Sequence, residues 1–281
     1  MITLLHQGVY CSIQDLGRKG FSNIGVPISG VMDAASAKLG NHLLNNNLND
    51  AVLEIAFGGV AFLFDEDTSI CLTGADFSPK VNEILIEMNA VVKIKKAQTI
   101  TFGKRKYGVR TYLSVFGGIQ AKEIVSSKSF YKEISGKSML QKGDIVPCKL
   151  FEGQTKLTYS KIKVDEHHFK TNVINCFKGP EFELLTKKQQ AQLFGAEFII
   201  SNDNNRVGYQ LNESIENTLK PILTSGVLPG TVQLTPSGKL IVLMRDCQVT
   251  GGYPRVLQVS EESINRLAQK TTQDKIQFVL K

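Results

Sequence analysis

A chain of 281 residues is long enough for one large or two medium domains, and 42% hydrophobic with 21% charged residues is the composition of an ordered globular protein. No apolar run approaches the roughly 20 residues of a membrane helix. The N-terminus turns polar at once without a basic leader, so neither a membrane span nor a signal peptide is expected and the expected location is cytoplasmic. The net charge of +7 is uneven: residues 1–92 carry 4 basic and 10 acidic side chains, 93–170 carry 17 and 6, and 171–281 carry 12 and 10. The lysines of the middle third are dispersed, with few aromatics between them to stack bases. They read as a solvated face, and no nucleic-acid partner is expected.

Along the chain, Asp33 is placed to cap a helix over 34–44. Short apolar runs bounded by turn residues follow at 52–57, 60–64, 70–73, 91–94 and 111–116, and resume at 173–177, 240–244, 256–259 and 276–280. Such spacing predicts a mainly β, antiparallel sandwich or barrel. A second helix is expected over 186–194. A third should open at Ser260 with Ile264, Leu267 and Ala268 inward. No strict βαβ alternation appears, which excludes a doubly wound sheet. The polar stretch 150–171 reads as a joint between two halves, giving expected domains of 1–155 and 165–281.

Several chemistries are set aside. Ser135-Gly136-Lys137-Ser138 ends like a phosphate-binding loop, but Tyr131 stands where that motif needs glycine. The five cysteines are odd in number and far apart, and read as free thiols of a reducing compartment. The adjacent pair His167-His168 lies in the polar joint, and neighbours on an extended chain point apart, so no metal site is expected. No nucleophile-elbow motif occurs.

Four polar, glycine-rich segments remain. They are 14–18 with 25–33, 73–76, 202–209, and 226–238 leading into Thr250-Gly251-Gly252-Tyr253-Pro254-Arg255. Each reads either as a turn facing water or as part of a site for a small polar molecule, since binding residues concentrate on rigidly framed loops.

The order of these segments resembles the family of the C component of bacterial 5-oxoprolinase, also known as allophanate hydrolase subunit 2 or biotin-dependent carboxyltransferase. The matching elements span nearly the whole chain. They are Gln14-Asp15-Leu16-Gly17-Arg18, Gly25-Val26-Pro27, Ser29-Gly30 with Met32-Asp33, Leu53-Glu54, Leu72-Thr73-Gly74-Ala75-Asp76 and Phe116-Gly117-Gly118-Ile119. Asn205-Arg206-Val207-Gly208-Tyr209, Gly226 to Gly230, Gln233, Pro236-Ser237-Gly238 and Thr250 to Pro254 complete the set. Two departures stand out: Ser127-Lys128-Ser129-Phe130 lacks the arginine and aspartate that relatives often carry there, and Asn204-Asn205 replaces a Ser-Asp step.

The resemblance implies two tandem cyclophilin-like β-barrel domains with a few short helices. It implies an ATP-dependent complex with the B component of 5-oxoprolinase (allophanate hydrolase subunit 1-like) and its A component, converting 5-oxo-L-proline to L-glutamate. A related module in urea carboxylase moves a carboxyl group from biotin to urea, so the substrate class is a small amide. The chain has no Met-Lys-Met site, hence no attached biotin. The alternatives are a carboxyltransferase that works on urea with carboxybiotin from a separate carrier, and a non-catalytic regulatory partner of the B component. On residue type, Arg206 and Arg255 are candidates for gripping a carboxylate or phosphate. Asp203 and Asp246 are candidates for proton transfer or for accepting a ring N–H. Tyr209, Gln233, Ser237, Thr250 and Tyr253 would position substrate.

Overall fold

The computed structural model describes residues 1–149 and 161–281. These fall into two compact units, Met1–Arg18 with Asp33–Phe169 and Lys19–Met32 with Lys170–Lys281. Both are mainly β. Residues 150–160 of the expected joint lie outside the described residues, while 161–169 group with the first unit. The segment 19–32 groups with the second, where contiguous domains had placed it in the first.

The first unit contains β1 (Ile2–Gln7), β2 (Tyr10–Gln14), β3 (Val52–Ala56), β4 (Val60–Phe64), β5 (Thr68–Asp76), β6 (Lys80–Val81), β7 (Ile84–Leu85), β8 (Val91–Ile94), β9 (Thr99–Thr101), β10 (Tyr107–Val115) and β11 (Ile145–Val146). They pair as two sheets, in the orders β11-β1-β4-β9-β6-β7 and β2-β3-β10-β5-β8. Inward residues of both sheets share one apolar core, among them Leu4, Phe62 and Phe64 from the first and Ile13, Leu53, Leu72 and Leu113 from the second. β4 alternates buried and half-buried residues in the manner of a strand with one wet face, whereas β3 is buried throughout. The second sheet is therefore covered on both faces.

The cover is α1 (Ala34–Leu43). Asp33 caps it, accepting from the Ser36 N–H at 3.1 Å, and the Thr73 hydroxyl donates to the Ser36 carbonyl at 2.7 Å. Gly40 allows the close approach: a Cβ there would meet Ser114 Oγ at 2.5 Å. Two short helices follow, α2 (Lys132–Ser135) and α3 (Glu166–Lys170). α2 ends on Gly136 at φ 73°, and Lys137 pairs with Asp144 at 3.0 Å. The phosphate-loop-like run is thus a helix C-cap with a committed lysine.

The second unit contains β12 (Val173–Lys178), β13 (Phe198–Asn204), β14 (Gly208–Ser214), β15 (Ser225–Gly226), β16 (Thr231–Leu234), β17 (Lys239–Leu243), β18 (Thr250–Gly251), β19 (Arg255–Val259) and β20 (Lys275–Leu280). Seven of them close a barrel in the order β12-β19-β16-β17-β14-β13-β20, and the β12–β20 contact is its parallel pair. β15 and β18 form a separate two-stranded ribbon. α4 (Lys187–Gly195) opens with a capping box from Thr186 and Gln189. α5 (Glu261–Leu267) is capped by Ser260 and buries Ile264 and Leu267, with Ala268 at its end. No helix among the described residues is long and apolar enough to cross a membrane.

Candidate functional site

The sequence-predicted residues lie in the second unit, in two clusters. In the first, Arg206 and Asp246 form a buried two-pronged pair, with Nε to Oδ2 at 2.8 Å and a second guanidinium nitrogen to Oδ1 at 2.9 Å. The same arginine donates to the Gly30 carbonyl at 2.6 Å. The Ser29 hydroxyl donates to Asp246 Oδ1 at 2.6 Å, and the Ser29 N–H to the Arg245 carbonyl at 2.9 Å. Met32 joins the barrel core. This is why residues 19–32 belong to the second unit. It also revises the roles expected of Arg206 as an anion grip and Asp246 as a proton carrier: both edges of the pair are spent on each other and on the crossing segment. Asp203, grouped with them by sequence, is exposed at the end of β13. Tyr209 is wholly buried in the barrel core, its hydroxyl 3.4 Å from the Lys270 carbonyl, which suits packing rather than contact with a soluble substrate.

The second cluster gathers Gln233, Thr250, Tyr253 and Arg255. Gln233 on β16 stands in register with Arg255 on β19. Arg255 meets Glu181 through Nε at 3.0 Å and a terminal nitrogen at 2.8 Å, while its backbone N–H reaches the same carboxylate at 2.8 Å. Its other terminal nitrogen donates to the Gly226 carbonyl at 2.9 Å, joining the barrel to the ribbon. The hydrogen bonds from Arg255 hold the Glu181 carboxyl below its ordinary range, and Glu181 in turn raises the guanidinium. Gln233 is 2% exposed, and its amide nitrogen has no hydrogen-bond partner among the described residues. That nitrogen lies under the ribbon, where a Cβ on Gly251 would meet it at 2.5 Å. Thr250 is exposed on the ribbon and Tyr253 is 38% exposed beside it. Ser237 stays apart, exposed in the β16–β17 turn against Thr235 Oγ1 at 3.0 Å.

The first unit holds polar chemistry that sequence reasoning did not select. One face of the five-stranded sheet is polar yet buried: Ser12, Glu54, Tyr112 and Thr73 stand in register across four strands. Glu54 is fully buried and accepts from the Tyr112 hydroxyl at 3.0 Å, which itself accepts from the Asp33 N–H at 2.8 Å. Burial first, then Glu54 and Asp33, push the Tyr112 phenol well above its ordinary value, so it stays a donor at any working pH. Asp33 Oδ2 accepts from the Ser36 hydroxyl at 2.6 Å and lies 2.8 Å from His168 Nε2. His168, expected in an idle linker, sits on α3 at the edge of a cleft of about 190 Å³. The signal in the sequence was a glutamate inside the apolar run 52–57, which no packing argument explains.

A further buried carboxylate of this unit fastens the loop at 127–130. Asp15 accepts from the Ser127 and Ser129 hydroxyls, each at 2.6 Å, and from the Lys128 N–H at 2.6 Å. Arg18 is 1% exposed and donates to the Ser129 carbonyl. The departure at 127–130 is thereby accommodated: backbone and hydroxyl groups serve this loop. The cysteines are free and mostly buried, and burial pushes the Cys71 thiol up to about 12, outside nucleophile chemistry.

Comparison with known proteins agrees with this architecture. Residues 24–280 match the model of the carboxyltransferase domain, subdomains A and B. The chain is 30% identical to the C component of 5-oxoprolinase from Escherichia coli, covering 99% of this chain and 91% of the relative. It is 28% identical to the C component of 5-oxoprolinase from Haemophilus influenzae, over 99% and 90%. The crystal structure of the K. lactis urea amidolyase superposes with a TM-score of 0.88 at 26% identity. That match covers 99% of this chain and only 18% of the much longer one. The chain belongs to the family of the 5-oxoprolinase C component and carries the carboxyltransferase domain, subdomains A and B.

Proposed function

We propose that this protein is one part of an ATP-dependent 5-oxoprolinase, acting with the A and B components of that enzyme to open 5-oxo-L-proline to L-glutamate. The observation that carries the reading is identity of 30% across almost the whole of both chains with a protein of that name. Opening the lactam breaks the ring C–N bond, adds water at the carbonyl carbon and places a proton on nitrogen. An amide is a poor electrophile; ATP in the complex would supply a phosphoryl group to its oxygen, leaving as ADP, and the phosphate would depart as water completes the hydrolysis. The reading needs no biotin on this chain.

The chain's own residues divide the work. Arg206–Asp246 and Arg255–Glu181 are positioning pairs. They fix the crossing segment and the ribbon, so that the ribbon covers the buried Gln233 amide and the exposed Tyr253 hydroxyl faces a polar reactant of the complex. The buried network from Glu54 through Tyr112 to Asp33 preorganises the first unit in the same way, with dipoles fixed before any reactant arrives.

A second reading has an observation of its own. The carboxyltransferase-domain match and the likeness to a urea amidolyase favour carboxyl transfer to urea from a biotin on a separate carrier. One experiment separates them. The chain is co-expressed with homologues of the A and B components and assayed for ATP-dependent glutamate release from 5-oxo-L-proline, and in parallel for carboxylation of urea with a biotinylated carrier. Glutamate release only when all three proteins are present supports the proposal. Urea carboxylation without it supports the second reading, and activity of the other two components alone would make this chain a regulator.

A further inference from the structure

We propose that the cleft at the start of α1 in the first unit is a cis-amide subsite, in which the side-chain amide of Asn89 pairs with the ring amide of a small lactam acid. The inference rests on the 5-oxoprolinase reading and assigns its substrate a place. Asn89 is 6% exposed, and its side-chain amide has no hydrogen bond among the described residues although it lines the cleft. Its backbone is pinned on both sides: the N–H donates to the Leu72 carbonyl at 2.7 Å, and the carbonyl accepts from Ile162 N–H at 3.2 Å. The φ of 54° is one that asparagine tolerates better than most residues, so the side chain is aimed by the fold. The amide opens onto the cleft, where the N–H and C=O of a ligand can take the hydrogen bonds that solvent otherwise makes.

The other polar walls are committed. The Ser36 hydroxyl is held by Asp33 at 2.6 Å, as is the His168 ring at 2.8 Å, and Asp165 Oδ1 accepts the His167 N–H at 3.0 Å. Leu39, Ile162 and Phe169 supply apolar walls, and Phe169 is fixed against Tyr107 with ring centroids 4.7 Å apart. Lys163 is an exposed cation on the cleft wall with no ion pair among the described residues.

The ligand class follows from these groups. A carboxamide offers one N–H and one C=O side by side, and its complement must do the same. An open-chain secondary amide is trans, with N–H and C=O pointing opposite ways. A lactam is held cis by its ring and presents both on one edge, as do urea and primary amides. A cavity of about 150 Å³ holds benzene, so about 190 Å³ suits a small ring with one substituent. Ring carbons would meet the apolar walls, and the cation would take a carboxylate. Lys163 favours a lactam acid over urea, provided that the acid group lies on its side of the cleft, away from the Asp165 carboxylate.

Calorimetric titration of the assembled complex with 5-oxo-L-proline, 2-pyrrolidone, N-methyl-2-pyrrolidone and urea tests this. Loss of one charge-free hydrogen-bond pair should weaken 5-oxo-L-proline about tenfold in Asn89→Asp, which keeps the side-chain shape and the backbone conformation. Asn89→Gly, which also accepts a positive φ, is the second variant should the first fail to fold. Lys163→Gln should weaken 5-oxo-L-proline and leave 2-pyrrolidone unchanged, and N-methyl-2-pyrrolidone should bind worse than 2-pyrrolidone. Unchanged affinity and KM for 5-oxo-L-proline in a folded Asn89 variant that still turns it over would overturn the subsite while the 5-oxoprolinase reading stands. Urea binding that depends on Asn89, with no binding of 5-oxo-L-proline to wild type, would overturn the lactam-acid assignment together with that reading.

Discussion

The cleft of the first unit and the polar clusters of the barrel solve opposite problems with similar residues. In the barrel the charged side chains are paired, Arg206 with Asp246 near the end of β17 and Arg255 with Glu181 at the start of β19. In the cleft the buried carboxylate of Asp33 is taken up by a serine and a histidine. Each region also holds a neutral side-chain amide without a hydrogen-bond partner among the described residues, Asn89 in one and Gln233 in the other. Paired charge in this chain marks where the fold is fastened, and the amides are where we propose that a ligand is met.

Arg206→Ala breaks that comparison most forcefully. It strips the partner from a carboxylate that is 12% exposed in its side chain and from the Gly30 carbonyl. Removing one member of a buried pair costs about 3–5 kcal/mol. The thermal midpoint should fall sharply and activity with it. A normal midpoint with lost activity would return Arg206 to the reactant.

The Arg255–Glu181 pair should give a smaller effect with a pH signature. The folded pKa of Glu181 is depressed by Arg255, so its contribution is complete above the ordinary glutamate value and fades as pH falls through the lowered one. Glu181→Gln should cost about 1.5–3 kcal/mol near neutrality, and the cost should shrink in acid. Urea midpoints measured from about pH 6 down to about pH 3 read this out, given an ordinary glutamate pKa near 4.3. A cost that grows in acid would contradict the pairing.

Gln233→Met sharpens the other half of the comparison. Replacing an unpaired buried amide by an apolar side chain of similar shape should leave stability unchanged or raise it by about 1 kcal/mol, because an unsatisfied donor is removed. Turnover of the complex should fall. A strongly destabilised variant would mean that the amide is satisfied within the fold.

Much of the fold was legible. Asp33 and Ser260 cap α1 and α5, and each of the nine apolar runs became or overlaps a strand. The seam was not legible in the same way, because the chain crosses early: Ser29 and Gly30 are fastened to Asp246 and Arg206, residues some two hundred positions away. No local pattern reports a contact of that range. The candidate site was half legible for a related reason. Residue type singled out the arginines, but whether a guanidinium is free depends on who faces it, and Glu181 on a turn after β12 was invisible as the partner of Arg255. Glu54 and His168 were visible as oddities, a charge in an apolar run and a histidine in a polar stretch. Only pairing across the sheet and the Asp33 contact give them meaning.

The smallest expected effect belongs to Tyr253→Phe. With the ring 38% exposed, losing one hydroxyl should leave the melting midpoint within error. If the hydroxyl meets a reactant, about 0.5–1.5 kcal/mol of transition-state binding is lost, a few-fold in kcat/KM. An unchanged kcat/KM would place Tyr253 outside the reaction.

The most direct test of the central claim is reconstitution of the three-protein complex, with glutamate release from 5-oxo-L-proline followed with and without ATP. Release that requires ATP and this chain, and that survives Gln233→Met only at a reduced rate while the folded complex is kept, is the predicted result. Full activity of the A and B components without this chain would contradict it.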